Sequence, residues 1–111
     1  MKILILGAAG MLGHKLYQVL APIFDVTGTI RADYNSISSY GFFQESEIIP
    51  DVNVLETSRL KEVIEQVNPD VAINCIGVIK QVKEAQDKLL SIWINSLFPH
   101  QLYQICQRRE I

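Results

Sequence analysis

Cysteine is scarce in this chain: Cys75 and Cys106 are the only two, far apart in sequence. They match no metal-ligand spacing and make no disulfide framework, so no metal site is expected and a reducing, cytoplasmic setting is. No apolar run approaches the length of a membrane span. The first residues do not read as a secretory signal, because Lys2 is the only early charge and Gly7 interrupts the apolar run. Charge of one sign is not in excess either. A net charge of −2 leaves no electrostatic footprint for nucleic acid or an anionic membrane surface. What remains is 111 residues, 49% hydrophobic and 20% charged, which suits one packed domain rather than a disordered chain.

The most informative stretch is KILILGAAGMLG, Lys2 to Gly13. Ile3 to Leu6 form a short apolar run, and Gly7, Gly10 and Gly13 follow at a spacing of three. A helical pattern then begins, with Leu12, Leu16, Val19 and Leu20 on one stripe. Strand, glycine turn and helix in this order suit a dinucleotide-binding unit. The first glycine lets the chain turn off the strand. The second removes a side chain so that a pyrophosphate can approach, and the third lets the helix pack close to the sheet. The helix then directs its free N–H groups at the phosphates.

The rest of the chain continues the alternation. The first helix is expected from Gly10 to Leu20, stopping at Ala21-Pro22. A second strand follows over Asp25 to Ile30. In such folds an acid at its end bonds the ribose 2′-hydroxyl of NAD, whereas an arginine accommodates the 2′-phosphate of NADP. Here Arg31 follows Ile30 with no acid before it, and Asp33 comes two residues too late. NADP(H) is therefore favoured over NAD(H), with Arg31 as the phosphate partner. Residues 32–46 read as a polar loop, with a short helix capped near Asn35 and with Phe42 and Phe43 against the sheet edge.

A short third strand is expected from Glu47 to Pro50. Asp51 at its end suits the adenine amino group and Val52 the adenine ring, although a plain turn aspartate fits the position as well. A second helix starts with Thr57 as its N-cap and carries Leu60, Val63, Ile64 and Val67 on one face; Asn68-Pro69 ends it. The fourth strand, Val71 to Ile76, is apolar almost throughout, and Cys75 in it reads as a buried apolar residue. Short links between alternating strands and helices give parallel βαβ units. The expected fold is thus a partial α/β Rossmann fold, a parallel sheet in the order 3-2-1-4 with flanking helices. Cys75, Ile76 and Gly77 then lie beside the glycine turn, where a nicotinamide would pass. The last helix is expected from about Gln86 to Arg109, with Leu89, Trp93, Leu97, Leu102 and Ile105 on its apolar side, Trp93 in the core and a kink at Pro99.

Taken together, GAAGMLG, TGTIR, PDVAINCIGVIKQ and INSLFPHQL resemble the amino-terminal part of an extended short-chain dehydrogenase/reductase, most of all the dTDP-4-dehydrorhamnose reductase group. The resemblance runs over essentially the whole chain. It implies that Gly7, Gly10, Met11, Leu12 and Gly13 wrap the pyrophosphate and that Arg31 meets the 2′-phosphate. Asp51 and Val52 would meet the adenine, and Cys75, Ile76 and Gly77 would line the ribose and nicotinamide. Asn95 would organise the site from behind. Members of the group often carry an alanine run where this chain has Cys75-Ile76-Gly77, so contacts there would come mainly from backbone.

The resemblance also implies chemistry that this chain does not carry. The family uses a Ser or Thr and a Tyr-x-x-x-Lys pair, the tyrosine moving a proton and the lysine lowering its pKa. Four residues after Tyr17, Tyr34, Tyr40 and Tyr103 stand Ala21, Ser38, Gln44 and Gln107. No catalytic residue is therefore assigned. The chain is expected to be the NADP(H)-binding amino-terminal portion of a reductase, inactive alone, whose intact form acts on a nucleotide-linked deoxysugar in polysaccharide synthesis. A non-catalytic binding module, or an epimerase or dehydratase portion, are the alternatives. The fourth strand is expected at a sheet edge, through which copies would associate into a homo-oligomer.

Overall fold

The computed structural model describes residues 1–77 and 87–111. The first apolar run forms β1 (Lys2–Leu6), which lies inside a four-stranded sheet. Its neighbours are β2 (Asp25–Thr29) on one side and β4 (Val71–Asn74) on the other, with the two-residue β3 (Ile48–Ile49) beyond β2. All pairings are parallel and the order is β3-β2-β1-β4, as in half of a Rossmann sheet. The period of two along β1 divides the core. Leu4 and Leu6 face one layer; Ile3 and Ile5 face the other. The first layer packs on α2 (Thr57–Val67) through Leu60, Val63 and Ile64 and on α4 (Phe98–Arg108) through Phe98 and Leu102. The second packs on α1 (Met11–Leu20) through Tyr17, with Val26, Ile30, Phe43 and Ile48.

Helix α1 docks differently from its hydrophobic stripe. Gly13 and Tyr17 are its buried residues, Leu16 and Leu20 are half-buried, and Leu12 and Val19 are exposed. The reason is steric. A side chain at Gly13 would overlap the carbonyl oxygen of Gly7, so the bare backbone of Gly13 sets which face meets the sheet. Between β2 and β3 the chain makes 3₁₀ turns at Tyr34–Ser36, Ser38–Tyr40 and Glu45–Glu47. The cap of the first is Asp33 rather than Asn35; its Oδ1 accepts from the Ser36 N–H at 3.2 Å. Phe42 and Phe43 pack on the Tyr17 ring, at centroid distances of 6.3 and 4.7 Å.

Several element ends and a second stripe depart from expectation: β2 stops at Thr29 rather than Ile30, and β3 is Ile48–Ile49 rather than Glu47 to Pro50, Glu47 belonging to a 3₁₀ turn. Thr57 is the first residue of α2, and Glu56 is its N-cap without a side-chain bond. The approach to α2 is held instead by Asn53, whose Oδ1 accepts from the Leu55 N–H at 3.1 Å. β4 stops at Asn74, because the Asn74 side chain accepts from the Ile76 N–H at 2.9 Å and bends the chain away. Cys75 is consequently half-buried beyond the strand. The expected helix start at Gln86 lies outside the described residues. Within the described residues α3 (Lys88–Ile92), capped by Asp87, runs into a π-helical turn, Trp93–Leu97, and then α4. Pro99 lacks an N–H for Asn95 and its ring crowds that carbonyl. The backbone widens instead, with Phe98 N–H donating to Trp93 O. The added residue rotates the helical phase. Leu102 and Ile105 are buried as expected, but Leu89 is 80% exposed, Leu97 is exposed, and Trp93, 41% exposed, is not a core residue.

Tyr17 ties α1 to the β2–β3 connection. Its phenol donates to Glu47 Oε2 at 2.7 Å and accepts from the Gln44 N–H at 3.3 Å. Burial, reinforced by the Glu47 hydrogen bond, pushes this phenol up to about 12. Between pH 10 and 12 the folded chain keeps a proton that the unfolded chain releases, so stability falls as pH rises through that window. Denaturant titrations of the wild type and of Tyr17→Phe at pH 8, 10 and 11.5 should show an added loss in the wild type on the order of 1–2 kcal/mol. Parallel pH dependences would refute it.

Candidate dinucleotide site

The three glycines of the first turn have separable physical roles. Gly7 sits at φ +86°, and a Cβ there would lie 2.7 Å from Ile76 Cγ1 and 3.2 Å from the Cys75 carbonyl. Gly13 is excluded from carrying a side chain by the Gly7 carbonyl. Gly10 is different. A Cβ would meet only ordinary contacts, 3.6 Å to Gly7 O and 3.8 Å to Cys75 O, and the residue is exposed. The protein's own packing requires Gly7 and Gly13; at Gly10 the missing side chain leaves room on the solvent side. Gly10 is also the N-cap of α1 and makes no side-chain cap bond. The N–H groups of Met11, Leu12 and Gly13 therefore stand at an uncapped helix start. Such a start, with backbone open beside it, suits a phosphate.

β2 supports this turn through residues that sequence reasoning did not single out. Ala8 N–H donates to Thr29 O at 2.8 Å, and Gly7 N–H donates to Thr29 Oγ1 at 3.3 Å. Gly28 must be bare, because a Cβ would come within 2.7 Å of Ala8 Cβ. The signal was the small, polar Thr-Gly-Thr in the middle of a strand that otherwise needs apolar residues.

At the carboxyl ends of the strands lies a cavity of about 130 Å³. Gly7, Thr29 and Ile76 form one side of it, and Val52, Val54 and Leu55 another. Leu90 from α3 and Ile94 from the π turn also line it, and Arg31 and Asn53 bring polar groups. Pockets that enclose a whole drug-sized ligand run from roughly 300 Å³ upward, so this one suits a single ring system with the rest of a longer molecule outside it. Arg31 is exposed and, among the described residues, has no carboxylate partner. The nearby acid in sequence, Asp33, is engaged as a turn cap.

The structure thus gathers Gly7, Arg31, Val52 and Ile76 around one cavity, with Gly10 to Gly13 beginning the adjoining helix. Asp51 does not line that cavity; it is exposed, at φ 57°, in a left-handed conformation that bends the chain from β3 toward Val52. Cys75 contributes backbone behind Gly7, and burial pushes its thiol up, which leaves it a poor nucleophile. Gly77 and Asn95 come together, with Asn95 Oδ1 3.5 Å from where a Gly77 Cβ would stand. Among the described residues no cluster of His, Cys, Asp or Glu can hold a metal. An uncapped helix start, a ring-sized apolar cavity and an exposed cation at that cavity suit the phosphates and the base of a dinucleotide.

No curated protein matches the chain in sequence. Solved structures match it closely in shape. One is L-threonine dehydrogenase from Clostridium difficile, with a TM-score of 0.80 at 22% identity over 98% of this chain and 34% of that one. Another is UDP-glucose 4-epimerase from Thermus thermophilus in complex with NAD, with a TM-score of 0.78 at 16% identity over 100% and 35%. A third is dTDP-4-dehydrorhamnose reductase from Bacillus anthracis in complex with NADP, with a TM-score of 0.67 at 20% identity over 98% and 33%. These likenesses establish the fold, and the chain spans about a third of each protein's length. The family model of the RmlD substrate binding domain matches residues 1–111. The chain therefore belongs to the RmlD substrate binding domain family.

Proposed function

We propose that this chain is the NADP(H)-binding portion of a nucleotide-sugar reductase, in which a hydride passes between the nicotinamide and a keto group of a nucleotide-linked deoxysugar. The observation that carries the cofactor reading is Arg31, an exposed guanidinium beside the cavity with no acid competing at the end of β2. The family membership and the NADP-bound reductase of the same fold support the reaction class. In this reading the chain binds and orients. The α1 start holds the pyrophosphate, Arg31 the 2′-phosphate, and the apolar cavity with Val52 the adenine ring, Asp51 being the group for the adenine amino nitrogen. Cys75, Ile76 and Gly77 line the path toward the nicotinamide, and Asn95 supports that turn.

Proton transfer is assigned to residues outside this chain. Tyr17 is buried with its proton held toward Glu47, and the Tyr34 hydroxyl donates to Phe43 O at 2.8 Å. No tyrosine here is followed four residues on by lysine. A second reading is a non-catalytic binding module of this fold. A cytoplasmic setting and a role in polysaccharide synthesis belong to the first reading. We further propose that copies associate through the edge of β4, which pairs only with β1 among the described residues. Val71 is exposed there, and a groove of about 320 Å³ runs between β4 and α4, bordered by Val71, Ala72, Leu102 and Tyr103.

Calorimetric titration should show NADPH binding in preference to NADH, and Arg31→Ala should erase that preference by roughly 10-fold or more, as expected for a charged phosphate contact. Equal affinities untouched by the substitution would overturn the cofactor assignment. The glycines should separate in a paired experiment. Gly13→Ala should lose about 2 kcal/mol or more of stability through its clash with the turn. Gly10→Ala should keep its thermal midpoint and lose NADPH affinity, and unchanged affinity would remove the phosphate role of the helix start. In light scattering the chain should run as a dimer or larger and Val71→Lys should shift it toward monomer; a wild-type monomer at high concentration would exclude the β4 interface.

A further inference from the structure

Thr29 is the buried polar side chain of the described structure, 1% exposed among apolar neighbours. Its hydroxyl accepts the Gly7 N–H at 3.3 Å. A hydroxyl also carries a proton of its own, and among the described residues no group accepts it. A buried donor without a partner is costly, and valine has the same shape, favours strands and carries no such cost. Thr29 lines the cavity that Arg31 also lines. Thr29 and Arg31 stand two residues apart on chain that continues to pair as a strand, Ile30 N–H donating to Ile49 O at 3.1 Å, so they share one side.

We propose that Thr29 is a ligand-contact and specificity-determining residue, whose hydroxyl donates to an oxygen of the adenosine ribose. The proposal rests on the dinucleotide reading of the site. Thr29 touches Gly7, in the pyrophosphate turn, on one side, and stands two residues before Arg31, the 2′-phosphate partner, on the other. In NADP the group that joins the pyrophosphate to the 2′-phosphate is that ribose. A donor placed between the two phosphate sites therefore faces ribose oxygens.

The alternative is that Thr29 acts only by holding the glycine turn. Adenosine 2′-monophosphate separates the two roles, because it has the ribose and the 2′-phosphate but no pyrophosphate to meet the turn. Wild type, Thr29→Val and Thr29→Ser are titrated with NADPH and with adenosine 2′-monophosphate, followed by chemical shifts. Thr29→Val should weaken both ligands by a similar factor, roughly fivefold to tenfold, and Thr29→Ser should restore both. Loss confined to NADPH would assign Thr29 to the turn alone and overturn the proposal. Retained affinity for both ligands in Thr29→Val would overturn it as well. Wild type that binds NADPH but not adenosine 2′-monophosphate would also overturn it while leaving the cofactor reading intact. Wild type that binds neither would remove the cofactor reading and this proposal together. Thr29→Ala, smaller and also without a hydroxyl, carries the same comparison if Thr29→Val does not fold.

Discussion

Backbone meets backbone where α1 crosses the end of β1. Gly13 approaches the Gly7 carbonyl so closely that even a methyl group is excluded, and Ala8 in the same turn leaves no room for a side chain at Gly28 of β2. These two contacts lock the first turn to the helix that follows it and to the neighbouring strand. Everything at the carboxyl end of the sheet takes its position from that turn. Ile76 packs over Gly7, Thr29 accepts its N–H, and the cavity opens between them. Moving α1 outward by the thickness of one methyl group would displace the uncapped helix start and open the second core layer around Tyr17.

The sheet supplies the rigidity that such a turn needs. Parallel strands with both faces of β1 buried place Leu4 and Leu6 against α2 and α4, and Ile3 and Ile5 against α1 and the aromatic β2–β3 connection. Backbone groups of the turn are satisfied within this frame, Ala8 on Thr29 and Cys75 on Leu6. In the proposed site, a phosphate approaching Gly10 would meet donors that are already oriented, which would lower the ordering cost of binding. Arg31 stands outside the frame. Its length and exposure suit a charge that arrives with the ligand, while the buried Ile30 before it fixes where the guanidinium can reach.

Much of this was legible in the sequence because the signals were local. The glycine spacing after an apolar run, the stripe Leu60-Val63-Ile64-Val67, and the prolines that end or distort helices each act over a few residues, and each appears in the structure. Readings failed where a distant backbone decided. The stripe of α1 was drawn through Leu12 and Val19, but the contact at Gly13 turned those residues to solvent. Trp93 and Leu89 fit a single helical phase, and the π turn ahead of Pro99 broke that phase. Thr-Gly-Thr in β2 signalled that something comes close to the strand there but not what, because the partners of Thr29 and Gly28, Gly7 and Ala8, lie some twenty residues earlier.

The sequence by itself determined the succession of elements, the parallel order of the strands and the glycine turn after the first strand. Hydrophobic period, glycine and proline act through the chain's nearest neighbours, and these features need no more. Tertiary structure decided which residues share the cavity. It brought Thr29 under Gly7, closed Leu90 and Ile94 over Val52, and set Asn95 beside Gly77. Those juxtapositions depend on strand register and on how closely two backbones approach, and both are fixed only when the sheet and its helices pack together.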